Sequence, residues 1–167
     1  MERSRKVIFV SHLLLNQNAA AAGCERAPGA VKELLELLGE SGIGIIQLPD
    51  PELECFGLDR KSKGKEALDT KAYRGTCKKH ADDIVRQIES YMKSKYQIVG
   101  VLGVEFNPTW AVHQLANGTR NVPGKGVLIE ELETAMHGKR YQIPIVGVNL
   151  NNIFSSAEKL QALLSCS

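Results

Sequence analysis

The sequence predicts a three-layer α/β/α sandwich whose four-stranded parallel sheet has the order 2-1-3-4, a Rossmann-like or flavodoxin-like arrangement. Four short runs of β-branched and aliphatic residues, Val7–Val10, Ile43–Leu48, Ile98–Val104 and Ile143–Val148, read as buried strands. Stretches of helical period separate them, and strands alternating with helices form parallel sheets through right-handed crossovers. At 167 residues the chain is most simply one domain, residues 1–167, long enough to bury a sizeable core.

Each element has its own signal. After the first strand, Val31, Leu34, Leu35 and Leu38 fall at i, i+3, i+4 and i+7, which predicts a helix from about Pro28 that Gly39 and Gly42 close. Pro49 and Pro51 end the second strand. About twenty residues without a clear period follow, by the same periodicity test. Thr70 then opens the longest helix, with Cys77, Ala81, Ile84, Val85, Ile88, Tyr91 and Met92 on one face. Leu128, Ile129, Leu132, Ala135 and Met136 give helix 127–138 its apolar side. Pro144, near the start of the fourth strand, suits an edge position. Ser155 with Glu158 reads as a capping box before a last helix carrying Leu160, Leu163 and Leu164.

Composition narrows the function classes. A net charge of +2 is too small to imply a nucleic-acid polymer or an anionic membrane surface as partner. No apolar stretch approaches the roughly 20 residues of a membrane span, and no secretory signal is read, so a cytoplasmic location is expected. Cys24, Cys55, Cys77 and Cys166 form no CxxC pair and read as free thiols. GxGxxG, P-loop, GxSxG and HExxH motifs do not occur, which leaves the usual NAD and ATP sites unexpected. Gly100, Gly103 and the pair Gly42 and Gly44 read as close helix–sheet packing.

Candidate chemistry lies in three loops that follow strands: Val10–Asn18, Leu48–Glu52 and Gly103–Trp110. In the predicted order the switch point falls between strands one and three, so these loops gather where ligands bind in such sheets. His12 can act as a general base, a donor to a ligand carbonyl or a metal ligand, or it can simply bond to its own loop. Ser11 and the amides Asn16, Gln17 and Asn18 offer donors and acceptors suited to a pyrimidine- or amide-like edge. Asp50 and Glu52 are paired carboxylates for acid/base work or for a divalent cation. Glu105 and Asn107 sit at the end of strand three, and Trp110 can stack on a planar ligand or fill space. His12, Asn16, Asp50, Glu52, Glu105 and Asn107 are expected to converge on one depression. Arg60, Lys61, Lys63 and Lys65, with Arg120 and Lys125, read as positively charged lids over an anionic ligand. Cys24 and Cys55 can complete a mixed metal set with His12 or Asp50, though their spacing does not demand it.

The segment Leu14-Leu15-Asn16-Gln17-Asn18, together with Pro49-Asp50-Pro51-Glu52, resembles motifs of the thiouracil desulfurases and their desulfidase-related relatives, and Asn107-Pro108-Thr109-Trp110 resembles a third more weakly. Those motifs read His-Cys-Leu-Leu-Asn-Gln-Asn, Leu-Pro-Cys-Pro-Glu and Gly-(Ser)-Pro-Ser-Cys-Gly. The resemblance covers residues 6–135 and implies an iron–sulfur cluster, held by three cysteines, that abstracts sulfur from a thiolated pyrimidine. It also implies a proton-transfer role for Glu52. Here Leu13, Asp50 and Trp110 stand at the three cysteine positions, so no cluster and no desulfurase activity are expected. Leu13 and Trp110 are read as filling the vacated space. The favoured expectation is a cluster-less desulfurase-like protein binding a small planar or anionic molecule, such as a nucleobase or nucleotide. The alternatives are a hydrolase or lyase using Glu52, Asp50 and His12, with or without a divalent metal, and a structural or partner-binding homologue with a filled pocket.

Overall fold

The computed structural model describes residues 1–166. The chain begins with β1 (Lys6–Ser11), the single turn α1 (His12–Leu15), α2 (Lys32–Glu40), β2 (Gly44–Leu48), α3 (Pro51–Phe56), α4 (Lys65–Leu68) and α5 (Lys71–Lys93). It continues through β3 (Gln97–Val104), β4 (Gln114–Asn117), β5 (Arg120–Pro123), α6 (Val127–Gly138), β6 (Ile145–Val148) and α7 (Ile153–Ser165). The main sheet is wholly parallel and runs β2-β1-β3-β6. With β6 as the fourth strand of the sheet, the expected order holds, and the strand that Pro144 precedes lies at an edge. α2 packs with α7 and α5 with α6, as right-handed crossovers running in opposite directions from the switch point require.

The central strands are buried on both faces, which is why they read as unbroken apolar runs. Ile8, Phe9, Val10, Val101 and Leu102 are fully buried, and Leu38, Ile88, Leu128 and Leu132 reach them from the helices. α5 buries Cys77, Ala81, Ile84, Val85 and Ile88 of its predicted face, with Tyr91 partly buried and Met92 exposed at its end, and Thr70 caps it by accepting from the Tyr73 N–H (3.2 Å). Among the described residues no helix is long and apolar enough to cross a membrane.

Several boundaries differ from expectation for identifiable reasons. α2 starts at Lys32, not near Pro28, because backbone groups just before it pair elsewhere: the Val31 N–H donates to the Leu14 carbonyl (3.0 Å) and the Gly29 carbonyl accepts from Gln17 N–H (2.9 Å). α7 is capped by Asn152, whose Oδ1 accepts from the Ser155 N–H, so Ser155 lies inside the helix instead of opening it. The aperiodic stretch after β2 contains α3 and α4. Asp50 caps α3 with Pro51 in its first turn, so the proline that ends the strand also starts a helix. The segment of Arg120 and Lys125, expected as a lid, instead carries one strand of an antiparallel hairpin, β4 with β5. Gly118, at φ +61°, takes the first central position of its two-residue turn, which a type II′ hairpin requires.

Two glycines position the loop that follows β3. A Cβ on Gly103 would run into the Trp110 carbonyl, and one on Gly126 would run into the backbone of Thr109 and Trp110. Loop 105–112 is therefore pressed between the end of β3 and the start of α6, and Gly103 packs first against this loop and next against Ile129 of α6. Phe106 holds φ +68° within it, a left-handed backbone costly for a bulky residue. Backbone pairing offsets that strain: the Phe106 N–H donates to Gln114 O (2.8 Å), and its carbonyl accepts from Ala116 N–H (3.3 Å).

Candidate functional site

Parallel pairing brings Ser11 level with Leu48 and Val104 level with Val148, so the loops after β1, β2 and β3 emerge at one edge of the sheet. A buried ion cluster lies there. Arg60 is only 7% exposed and extends a three-way fork. Its Nη2 donates to Asp50 Oδ2 (3.2 Å), Nε to Glu52 Oε2 (3.4 Å) and Nη1 to the Gly57 carbonyl (3.1 Å). The remaining carboxylate oxygens are also held. Asp50 Oδ1 accepts from Trp110 Nε1 (3.2 Å) and from the Glu52 N–H (3.3 Å). Glu52 Oε1 accepts from Thr109 Oγ1 (2.7 Å). Because Thr109 gives its proton to Glu52, Tyr73 must donate to Thr109 Oγ1 (2.6 Å).

Two carboxylates share one guanidinium, so with all three groups charged the cluster carries a net negative charge. Burial dominates the electrostatics and holds both the Asp50 and Glu52 carboxyls above their ordinary range, while Arg60 and the hydrogen bonds from Trp110 and Thr109 oppose that shift. Burial likewise pushes the Tyr73 hydroxyl up, which keeps it a donor.

Glu52 also lines a cavity of about 350 Å³. The walls come from the segment after α1 (Gln17, Ala20, Ala21, Cys24, Arg26), from Ser62–Gly64, from the loop after β3 (Glu105–Pro108), and from Leu13, Val104, Leu150 and Asn151, with the hairpin at one side. Of the six residues expected to converge, Glu52, Glu105 and Asn107 line this cavity; His12, Asn16 and Asp50 do not. Asp50 sits behind Glu52, in the ion cluster. His12 Nε2 is 3.2 Å from Asn16 Nδ2. Asn16 Oδ1 accepts from the backbone and side-chain amides of Asn18 (both 3.2 Å). Gln17 lines the cavity, but its amide is already engaged by the Leu13 carbonyl (2.6 Å) and the Arg26 N–H (2.9 Å). The run of amides thus braces its own loop.

Glu105 accepts from the His113 and Gln114 N–H groups (3.1 and 3.0 Å) and pairs with the His113 ring (2.8 Å), anchoring the hairpin. Asn107 Oδ1 accepts from the N–H groups of Thr109 (2.9 Å) and Trp110 (3.0 Å), leaving its side-chain NH2 without a partner among the described residues. Ser11 Oγ is buried and has no hydrogen-bond partner among the described residues. Trp110 is fully buried, and Leu13 is 3% exposed in the same core.

The basic residues separate into two groups. Arg60 is in the ion cluster, Lys65 pairs with Glu130 (2.5 Å) and Lys125 with Glu133 (2.5 Å), so none of these is a free lid charge. Lys63 lines the cavity with its ammonium 4.7 Å from the centre of the Phe56 ring. Arg26, which sequence reasoning passed over, lines the cavity too, held by Asn151 Oδ1 (3.0 Å) and two carbonyls. It lies fourteen positions beyond His12, in a stretch with neither motif nor period, so no signal pointed to it.

The uncharacterized protein MJ0003 of Methanocaldococcus jannaschii is 39% identical to this chain over 129 residues, covering 77% of the chain and 76% of the relative. The chain belongs to the family of that archaeal protein. A scan against protein-family models finds no match. Among solved structures, a 4Fe-4S-dependent thiouracil desulfidase, TudS, superposes with a TM-score of 0.58 at 17% identity, over 94% of this chain and 99% of the other. This chain therefore has a desulfidase-like α/β fold. Its donors do not fit a cluster of that kind. Leu13, Asp50 and Trp110 offer no thiolate, and Asp50 and Trp110 are bonded to each other. Of the four cysteines only Cys24 lines the cavity; Cys77 is in the core, and Cys55 and Cys166 are exposed elsewhere. Among the described residues no three His, Cys, Asp or Glu side chains gather as a metal site.

Two outcomes are expected. Trp110→Ala should open a cavity and cost about 3–5 kcal/mol in urea melts; a cost of a few tenths would mean that the indole fills nothing. Carbon-13 NMR should show at least one of the Asp50 and Glu52 carboxyls titrating above its ordinary value of 3.8 or 4.5. The sign for stability follows. A raised folded pKa means the native state takes up its proton first, so the cluster's contribution grows as pH falls through that pKa and levels off below the unfolded value. Midpoints at or below the ordinary values for both groups would contradict this.

Proposed function

We propose that this protein is a cluster-free member of the desulfidase-like fold, cytoplasmic, that binds a small planar or anionic molecule such as a nucleobase or nucleotide at the carboxyl edge of its sheet. The observation that carries the reading is the cavity of about 350 Å³ with Glu52 in its wall, a volume within the range of small-molecule sites. Glu52 supplies an acceptor for a ligand N–H, or a proton when it is neutral. The unpartnered Asn107 NH2 supplies a donor for a ligand carbonyl, and Phe106, Leu13 and Leu150 supply apolar surface. Arg26 and Lys63, neither paired with a carboxylate, favour negative charge in the ligand. An open cavity speaks against a homologue with a filled pocket.

A second reading, a hydrolase or lyase, is favoured by one feature. Glu52 is buried, has a raised pKa and borders the cavity, the combination that suits a carboxyl for general acid–base work near neutral pH. In that reading Glu52 exchanges the proton while Thr109 and Arg60 hold its two oxygens. His12 and Asp50 stand outside the cavity wall and act at most through neighbours.

Mass spectrometry of small molecules released from purified protein tests the binding reading. Thermal melts with uracil, 4-thiouracil and UMP complement it: a binder at 100 times its Kd should add about 2.7 kcal/mol of stability, and Glu52→Gln should diminish that gain. No released molecule and no shift with any probe would overturn the reading. Anaerobic reconstitution with iron and sulfide should leave the protein colourless; a stable brown form with about four irons per chain would refute the cluster-free assignment.

A further inference from the structure

Residues 58–63 run between Gly57 and Gly64, and Gly57 adopts a left-handed φ of +78°. The segment contains no helix, and Ser62, Lys63 and Gly64 form one wall of the cavity. Its backbone is tied to the rest of the protein at one place: the Arg60 carbonyl accepts from the Ala22 N–H (3.2 Å), within a bridge between Ala22 and Lys61. Ala22 lies in the chain between Ala21 and Cys24, which line the cavity. Beyond the segment, Lys65 is fastened to Glu130 of α6 (2.5 Å), so the chain is secured again just after Gly64. Within it, the side-chain anchors are the Arg60 fork and the looser contact of Lys63 with the Phe56 ring (4.7 Å).

We propose that residues 57–64 are a strap over the cavity, hinged at its two glycines and latched in the middle by the grip of Arg60 on Asp50 and Glu52. The latch also seats the Ala22 segment, so releasing Arg60 loosens two facing walls together. Physical asymmetry supports a latch over a permanent fixture. Lys63 lies in the cavity wall and Leu58 is 62% exposed, so Arg60 is the residue of the strap whose side chain reaches deep into the molecule. A buried ion pair is near balance between desolvation and attraction, unlike an apolar side chain seated in a core. The proposal rests on the reading that the cavity admits a ligand, but its test monitors the strap itself and needs no ligand.

Two variants separate the contributions. Arg60→Lys keeps the charge and loses the fork that reaches two carboxylates at once. The triple variant Asp50→Asn, Glu52→Gln, Arg60→Met removes all three charges together, so no lone charge remains buried. Tryptic cleavage after Lys61 and Lys63, located by mass spectrometry, and exchange of the Ala22 amide are followed in each folded variant. Both rates should rise at least tenfold in the triple variant and by a smaller factor in Arg60→Lys, while exchange within β1 and β3 stays unchanged. Rates within twofold of wild type would overturn the latch, as would acceleration shared equally by β1 and β3. If the triple variant does not fold, Arg60→Lys alone decides, because a latch made of the fork must respond to its loss.

Discussion

A guanidinium buried between two carboxylates is costly unless every donor and acceptor around it is used. Here nearly every one is used, and by groups from separate parts of the chain. Asp50 and Glu52 come from the junction of β2 and α3, Arg60 from the strap, Thr109 and Trp110 from the loop after β3, and Tyr73 from α5. The two edges of the switch point are thus joined by polar bonds, not by the sheet alone. Losing one partner would leave others unsatisfied in a dry setting, so the cluster fixes its surroundings as one unit. Loop 105–112 keeps its shape from the same bonds, from the close approach that Gly103 and Gly126 allow, and from the Asn107 side chain.

The cavity opens on one side of that cluster, with Glu52 belonging to both. Its carboxylate is polarised from behind by Arg60 and Thr109 and presents a face to the cavity. This arrangement separates support from display. Asp50 helps to hold Arg60 without lining the cavity, while Glu52 is fixed at both carboxylate oxygens. The hairpin completes the wall through Glu105, which binds two backbone N–H groups and the His113 ring and so is occupied by structure despite lining the cavity.

Much of this was legible in the sequence, and the failures are specific. Parallel strands buried on both faces leave apolar runs that are hard to misread, and α5 has a long enough face for its period to stand out. The placement of the loops followed from strand order. Which loop residues meet was not legible, since side-chain direction depends on turns that period does not encode. Asp50-Pro51-Glu52 carried a helix-start signal, a capping acid followed by proline, but the preceding proline made it read as a rigid loop. Gly118-Thr119 is a turn with glycine first, a hairpin signal that its short, polar flanks concealed. Arg60 read as one of four lid cations in a basic run; only the tertiary position of Gly57 and the two carboxylates makes it the buried one.

The resemblance to desulfidases and the departure from them lie in the same three segments, and the substituted residues have a coherent chemistry. At the three positions that the resemblance matches to cluster cysteines, this chain carries one apolar side chain, one carboxylate and one indole, none of them a soft thiolate. The last two form a hydrogen bond with each other, and the carboxylate takes a guanidinium as its cation. A carboxylate introduced alone into that interior would stand uncompensated, and an indole alone would leave its N–H unpaired. Asp50, Trp110 and Arg60 therefore make sense only together, as a set in which each residue satisfies what another exposes. Fold alone does not carry function. A shared sheet whose interior is satisfied by ions and hydrogen bonds keeps a polar cavity at its carboxyl edge.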